Sequence, residues 1–137
     1  MADPGSDRPR IDQLLDAARS RIERVAPEDL ADELAAGALV VDVRPEADRR
    51  AEGELPGAVV VELIHFGWRL DPTSPHRLPE VCDDSRVIVV CNDSYASSLA
   101  AAQLLDLGHQ TAADLEGGAR AWFRLQAAEQ PDGTGEP

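Results

Sequence analysis

Val87-Ile88-Val89-Val90-Cys91-Asn92-Asp93-Ser94-Tyr95-Ala96-Ser97-Ser98-Leu99-Ala100-Ala101-Ala102-Gln103-Leu104-Leu105 holds a change of period in the middle of the chain. Its first five residues are an unbroken apolar run, too short for a helix and rich in β-branched side chains, which predicts a buried strand. Ser97 to Leu105 is alanine- and leucine-rich and predicts a helix. A polar turn, Asn92 to Ala96, separates the two. Cys91 therefore stands where a strand gives way to a helix. The first N–H groups of a helix have no partner within it, and the helix dipole favours negative charge at that end. A sulfur placed there is favoured as thiolate, the reactive form of cysteine. The turn predicts a sulfur nucleophile inside an anion-binding loop.

Outward from this unit, strand and helix signals alternate. Towards the amino end, Leu39-Val40-Val41-Asp42-Val43 reads as a strand ended by Arg44-Pro45. Glu46 to Glu52 reads as a short charged helix, Leu55-Pro56-Gly57-Ala58 as a turn, and Val59 to Leu63 as a strand. Residues 65–79, with three prolines and with Phe66 and Trp68, are expected to be irregular. Earlier still, Ile11, Leu14, Leu15, Ala18 and Ile22 follow helical spacing, predicting an amphipathic helix over about 11–20. A short strand is expected over Ile22–Val25, then a helix opened by Pro27 and stopped at Gly37. Towards the carboxyl end, Gly108 ends the helix after Cys91 and Thr111 to Leu115 forms a strand. Gly117-Gly118 then breaks the chain before a last helix, Ala119 to Ala128. The alternation predicts an α/β domain with a mainly parallel central sheet flanked by helices on both faces. Ligands of such sheets bind beyond the carboxyl ends of the strands, where Asp42, Arg44 and Cys91 all lie.

Composition narrows the function. The net charge of −13 argues against nucleic acid or an anionic membrane as partner. Every basic residue is arginine, which excludes a Schiff-base lysine and a phosphate-loop lysine. His65, His76 and His109 form no zinc-type spacing with one another or with Cys82 and Cys91, so no metal and no cofactor are expected. Two cysteines make no disulfide framework. The first residues carry no apolar signal core and no run is long enough to span a bilayer, so a reducing cytoplasm is the expected setting. Cys82 lies in the acidic turn Val81-Cys82-Asp83-Asp84, where like charge disfavours a thiolate, and is read as a bystander.

Four separated segments carry a family resemblance. Val41-Asp42-Val43-Arg44-Pro45-Glu46, Gly53-Glu54-Leu55-Pro56-Gly57-Ala58, Val89-Val90-Cys91 with its loop, and Asp114-Leu115-Glu116-Gly117-Gly118-Ala119-Arg120-Ala121-Trp122 stand in the order found in rhodanese-like (sulfurtransferase) domains. The resemblance spans roughly residues 22–128. It implies residues 1–21 as an extension with an amphipathic helix, 22–130 as a single rhodanese-like domain and 131–137 as a flexible tail. It also implies a mechanism: the Cys91 thiolate takes the outer sulfur of a donor as a persulfide, and an acceptor removes it. Donor and acceptor are a small molecule or a protein. The backbone N–H groups of Asn92, Asp93, Ser94, Tyr95, Ala96 and Ser97 would cradle the sulfur, with Asp42 and Arg44 in structural support. Arg69 is expected as a loop arginine able to swing over the site. Ala96 stands where thiosulfate-using members carry a basic residue, and Ser94 where glycine is common. Loss of that cation argues for a persulfide donor rather than thiosulfate. The alternative reading is a non-catalytic rhodanese-like module that binds a partner protein. A cysteine-based phosphatase would need an arginine in the loop to hold phosphate, and this loop has none.

Overall fold

The computed structural model describes residues 7–129; the tail expected over 131–137 and the first six residues of the extension lie outside them. Five short strands form one sheet: β1 (Glu23–Val25), β2 (Leu39–Asp42), β3 (Val59–Val60), β4 (Val87–Val90) and β5 (Ala113–Leu115). Their order is β1-β5-β4-β2-β3 and every pairing is parallel. Between them run α1 (Arg10–Arg19), α2 (Leu30–Ala35), α3 (Glu46–Glu52), α4 (Phe66–Leu70), α5 (Ala96–Asp106) and α6 (Gly118–Ala128).

The period of two along each strand divides the core. Val41, Val87, Val89 and Cys91 face a cluster completed by Phe66, Leu70, Ala101 and Leu104, from α4 and α5. Val40, Ile88 and Val90 face the opposite cluster with Leu30, Leu55, Leu115 and Ala119. Trp122 and Phe123 of the last helix are partly buried against the second cluster and meet each other edge-to-face. Both faces of β2 and β4 are therefore dry, which is why these strands read as continuous apolar runs rather than as alternations.

Two expectations are corrected. Residues 65–79 are not wholly irregular: a turn of 3-10 helix (Leu63–His65) leads into α4, which buries Phe66 and Leu70 against α5. The strand expected over Val59–Leu63 pairs only at Val59 and Val60. It is an edge strand, and Glu62 already begins the turn into α4. The leading helix, α1, packs against α5 with Leu15 and Ala18 buried.

Candidate active site

β4 ends at Val90, and Cys91 follows with its side chain on the α5 face of the sheet. The chain then reverses over Asn92–Tyr95 and enters α5. That brings the backbone N–H of Ser97 to 3.2 Å from Cys91 Sγ. Cys91 is 8% exposed and lines a cleft of about 590 Å³. Asn92, Asp93, Tyr95 and Ala96 join it in lining that cleft, whereas Ser94 and Ser97 are buried behind the loop. The facing wall is apolar, with Val43, Pro45, Leu63 and Ile64, and carries the carboxylates of Glu46 and Glu62.

Backbone geometry explains how the loop is held open side out. Cys91 O accepts from Ala119 N at 2.9 Å and Asn92 O from Arg120 N at 3.2 Å. The unpaired donors at the start of α6 thus satisfy the carbonyls of the turn. This close approach requires Gly118, whose φ is +71° and where a Cβ would lie 2.3 Å from Asn92 O. Arg120 reaches over the same edge, holding Glu52 through both carboxylate oxygens at 2.9 and 2.8 Å and Asp93 at 2.7 Å. Its guanidinium keeps the Glu52 carboxyl below the usual range. Asn92 Nδ2 donates to Asp48 of α3 at 2.9 Å.

Ser94 is the one non-glycine residue at positive φ among the described residues, at +71°. Such a conformation costs about 1–2 kcal/mol for an L side chain, so the surroundings must hold it. Its carbonyl accepts from Arg19 Nη2 at 2.7 Å and lies 2.9 Å from Ser98 Oγ. Its hydroxyl accepts from Arg24 Nη2 at 2.9 Å. Behind it, the fully buried Asp114 takes Arg24 Nε at 2.9 Å and the hydroxyls of Ser97 and Ser98 at 2.9 and 2.7 Å. Sequence reasoning missed Arg19, Arg24 and Asp114. Nothing local marks them, because each acts on a residue at least sixteen positions away.

Arg44 lines the cleft too, and Asp42 is its buried partner. Arg44 is 1% exposed and binds both oxygens of Asp42, with the shortest contact 2.8 Å, and Gly53 O at 2.9 Å. Its guanidinium lies over the Phe123 ring, 5.6 Å from the centroid. Arg44 is thus engaged in the scaffold. Arg69 is not brought to Cys91. It sits on α4 and donates to His76 O at 2.9 Å, and with Ile64, His65 and Trp68 it lines a different hollow. Exposed Cys82 contacts Ser85 Oγ at 3.5 Å, away from the cleft. Among the described residues no group of three or more His, Cys, Asp or Glu side chains is placed to hold a metal, and no helix is long and apolar enough to cross a membrane.

Comparison with known proteins bears on this arrangement. No curated protein matches the chain. A rhodanese homologue from Thermus thermophilus is 34% identical, covering 73% of this chain and 100% of its own, with a TM-score of 0.54. A Rhodopseudomonas palustris protein of unknown function, described as a possible tyrosine phosphatase, is 27% identical with a TM-score of 0.77. It covers 92% of this chain and 95% of its own, so the likeness includes residues ahead of position 26. The human single-domain sulfurtransferase TSTD1 shares the fold at 23% identity and a TM-score of 0.59, covering 74% of this chain and 95% of its own. The model of the rhodanese-like domain matches residues 26–125. By that match, and by the likeness to the Thermus protein, the chain belongs to the rhodanese-like domain family.

Proposed function

We propose that the chain is a sulfurtransferase that passes sulfane sulfur through a persulfide on Cys91, taken from a persulfide donor rather than from thiosulfate. The observation that carries this reading is the Ser97 N–H aimed at the Sγ of Cys91, which lines an open cleft. A donor N–H on the sulfur holds negative charge there. The Cys91 thiolate attacks the outer sulfur of R–S–SH. The donor's S–S bond breaks, R–S⁻ leaves and takes up a proton from water, and Cys91–S–SH remains. An acceptor nucleophile then takes the outer sulfur and restores the Cys91 thiolate.

The lining favours a donor of low negative charge. Glu46, Glu62 and Asp93 face the cleft, the Arg44 guanidinium is bound to Asp42, and Ala96 supplies no cation. A thiosulfate dianion would meet carboxylates in the lining and find no cation within the 92–97 loop to offset them. The non-catalytic alternative draws support from Leu63, Ile64 and Tyr95, which stand exposed at the mouth as a partner-binding surface would. A phosphatase reading, which the name of one similar structure raises, lacks an arginine in the 92–97 loop to hold phosphate.

The test is intact-protein mass spectrometry after exposure to cysteine persulfide and, separately, to thiosulfate. Gain of one sulfur that survives Cys82→Ser and is lost in Cys91→Ser is the expected result. No gain from either donor would sink the catalytic reading and leave the binding module. For the donor, Ala96→Arg should raise thiosulfate efficiency, with a ceiling of roughly ten- to a hundredfold from one charge-assisted contact. Efficient loading of the unaltered protein by thiosulfate would overturn the donor assignment.

A further inference from the structure

We propose that Arg19 of α1 is a positioning residue for the Cys91 loop, acting with Arg24 of β1 to hold Ser94 in its left-handed turn, so that the segment ahead of residue 26 helps to set the reactive cysteine. The proposal rests on Cys91 being the reactive group, the reading given above.

The geometry is specific to one residue. The loop is fastened at two places. At one the amides of Ala119 and Arg120 hold the carbonyls of Cys91 and Asn92. At the other Ser94 is held by two guanidinium forks from outside the segment matched by the family model. Arg19 binds Ser94 O through Nη2 and Ser98 Oγ through Nε at 3.0 Å, and its guanidinium lies 5.5 Å from the Tyr95 ring centroid. It therefore touches Ser94, the next residue and the first turn of α5 together. Arg24 joins the Ser94 hydroxyl to buried Asp114.

A serine at φ +71° relaxes towards negative φ unless held. Relaxation would turn the Ser94–Tyr95–Ala96 backbone and carry the Ser97 N–H away from Cys91 Sγ. Glycine takes the same conformation without steric cost. In this chain the pair of arginines does what a glycine would do unaided.

Arg19 is the residue to test, because removing Arg24 would strand the buried Asp114 carboxylate and threaten the fold. In a Cys82→Ser background, Arg19→Met keeps the aliphatic stem and removes the fork. Two quantities are followed alongside the thermal midpoint. One is the rate of persulfide loading from cysteine persulfide. The other is the ratio of the iodoacetamide alkylation rate near about pH 6 to its high-pH plateau, in which changes of access cancel. Arg19→Met should lower both by about tenfold. Adding Ser94→Gly should restore both, although it returns none of the contact between α1 and α5. Unchanged values in Arg19→Met overturn the proposal. A fall that Ser94→Gly does not rescue also overturns it, since the effect would then belong to the helix contact and not to the turn. If the parent protein takes up no sulfur at all, the sulfurtransferase reading fails by itself, and the alkylation ratio still decides the role of Arg19.

Discussion

β2 and β4 lie side by side with Asp42 level with Val90, and both end at the same rim of the sheet. At the end of β2 the ion pair is local, although Arg44 Nη1 has no partner among the described residues. Arg44 binds Asp42 two residues back through its own N–H and its guanidinium, and Gly53 O takes a remaining donor. At the end of β4 the turn is fastened mainly from far along the chain. Ser94 is held from residues seventy and seventy-five positions away, and the carbonyls of Cys91 and Asn92 are held from α6. The first rim is a buried ion pair that anchors. The second is a strained turn that keeps an N–H on a sulfur and leaves that sulfur facing a cleft. The donor on the sulfur is the nearby Ser97 N–H, and long-range contacts hold the turn that places it.

The comparison breaks most visibly at Asp42. Asp42→Ala leaves Arg44 charged, buried and unpaired, which should cost about 3–5 kcal/mol of unfolding free energy in urea. A loss under about 1 kcal/mol would mean the β2 rim is not an anchor. Next comes Gly118→Ala. The new Cβ meets the backbone of Asn92 and Cys91, and φ is positive there, so a cost of about 2–4 kcal/mol is expected. Unlike the change at Asp42, it should also displace the cysteine loop, read as altered iodoacetamide reactivity of Cys91 in the protein that remains folded.

Ser94 separates strain from hydrogen bonding. Ser94→Ala keeps the strained φ and loses the Arg24 contact, and should cost about 1–2 kcal/mol. Ser94→Gly loses the same contact but relieves the turn, and should be about 1 kcal/mol more stable than the alanine variant. Equal stabilities would show that the turn stores no strain.

The smallest effect lies at the opposite rim, where Arg86 binds Glu33 at 2.7 and 2.9 Å. That hydrogen-bonded pairing holds the Glu33 carboxyl below its ordinary value of 4.5. A lowered carboxyl adds stability that is complete above its unfolded value and disappears as pH falls through the folded one. Glu33→Gln should therefore cost about 0.5–1 kcal/mol at neutral pH. The difference between parent and variant should begin to shrink below about pH 4.5 and vanish once the pH is under the lowered folded value. A difference that persists in acid would assign it to packing.

What could be read in the sequence follows the same division. The strand–cysteine–helix unit and the Asp42–Arg44 strand end were legible because period and sequence neighbours carry them. Gly117-Gly118 was legible as a break before the last helix, though not that Gly118 is needed for the approach to Asn92 O. α4 was not, since Phe66-Gly67-Trp68-Arg69-Leu70 is about one turn with a glycine inside and prolines soon after, too short to show a period. Arg69 was offered to the site from its place in that loop, but α4 turns it towards His76 O. Arg19 and Arg24 looked like ordinary polar-face arginines in a chain whose cations are all arginine. Their partners lie beyond the reach of any local pattern.

β1 and β5 sit next to each other in the sheet, although Arg24 and Asp114 are ninety residues apart along the chain. Contacts so distant carry a large loop-closure cost and slow folding. A ribosome builds the chain from its amino end, so Arg24 waits for nearly the whole polypeptide before its partner emerges. Cys91 is therefore made well before the clasp behind it can close. The last strand to be made also finishes the site, and a nascent or truncated chain lacking residues 113–115 would carry the thiol without the Asp114 anchor behind its loop.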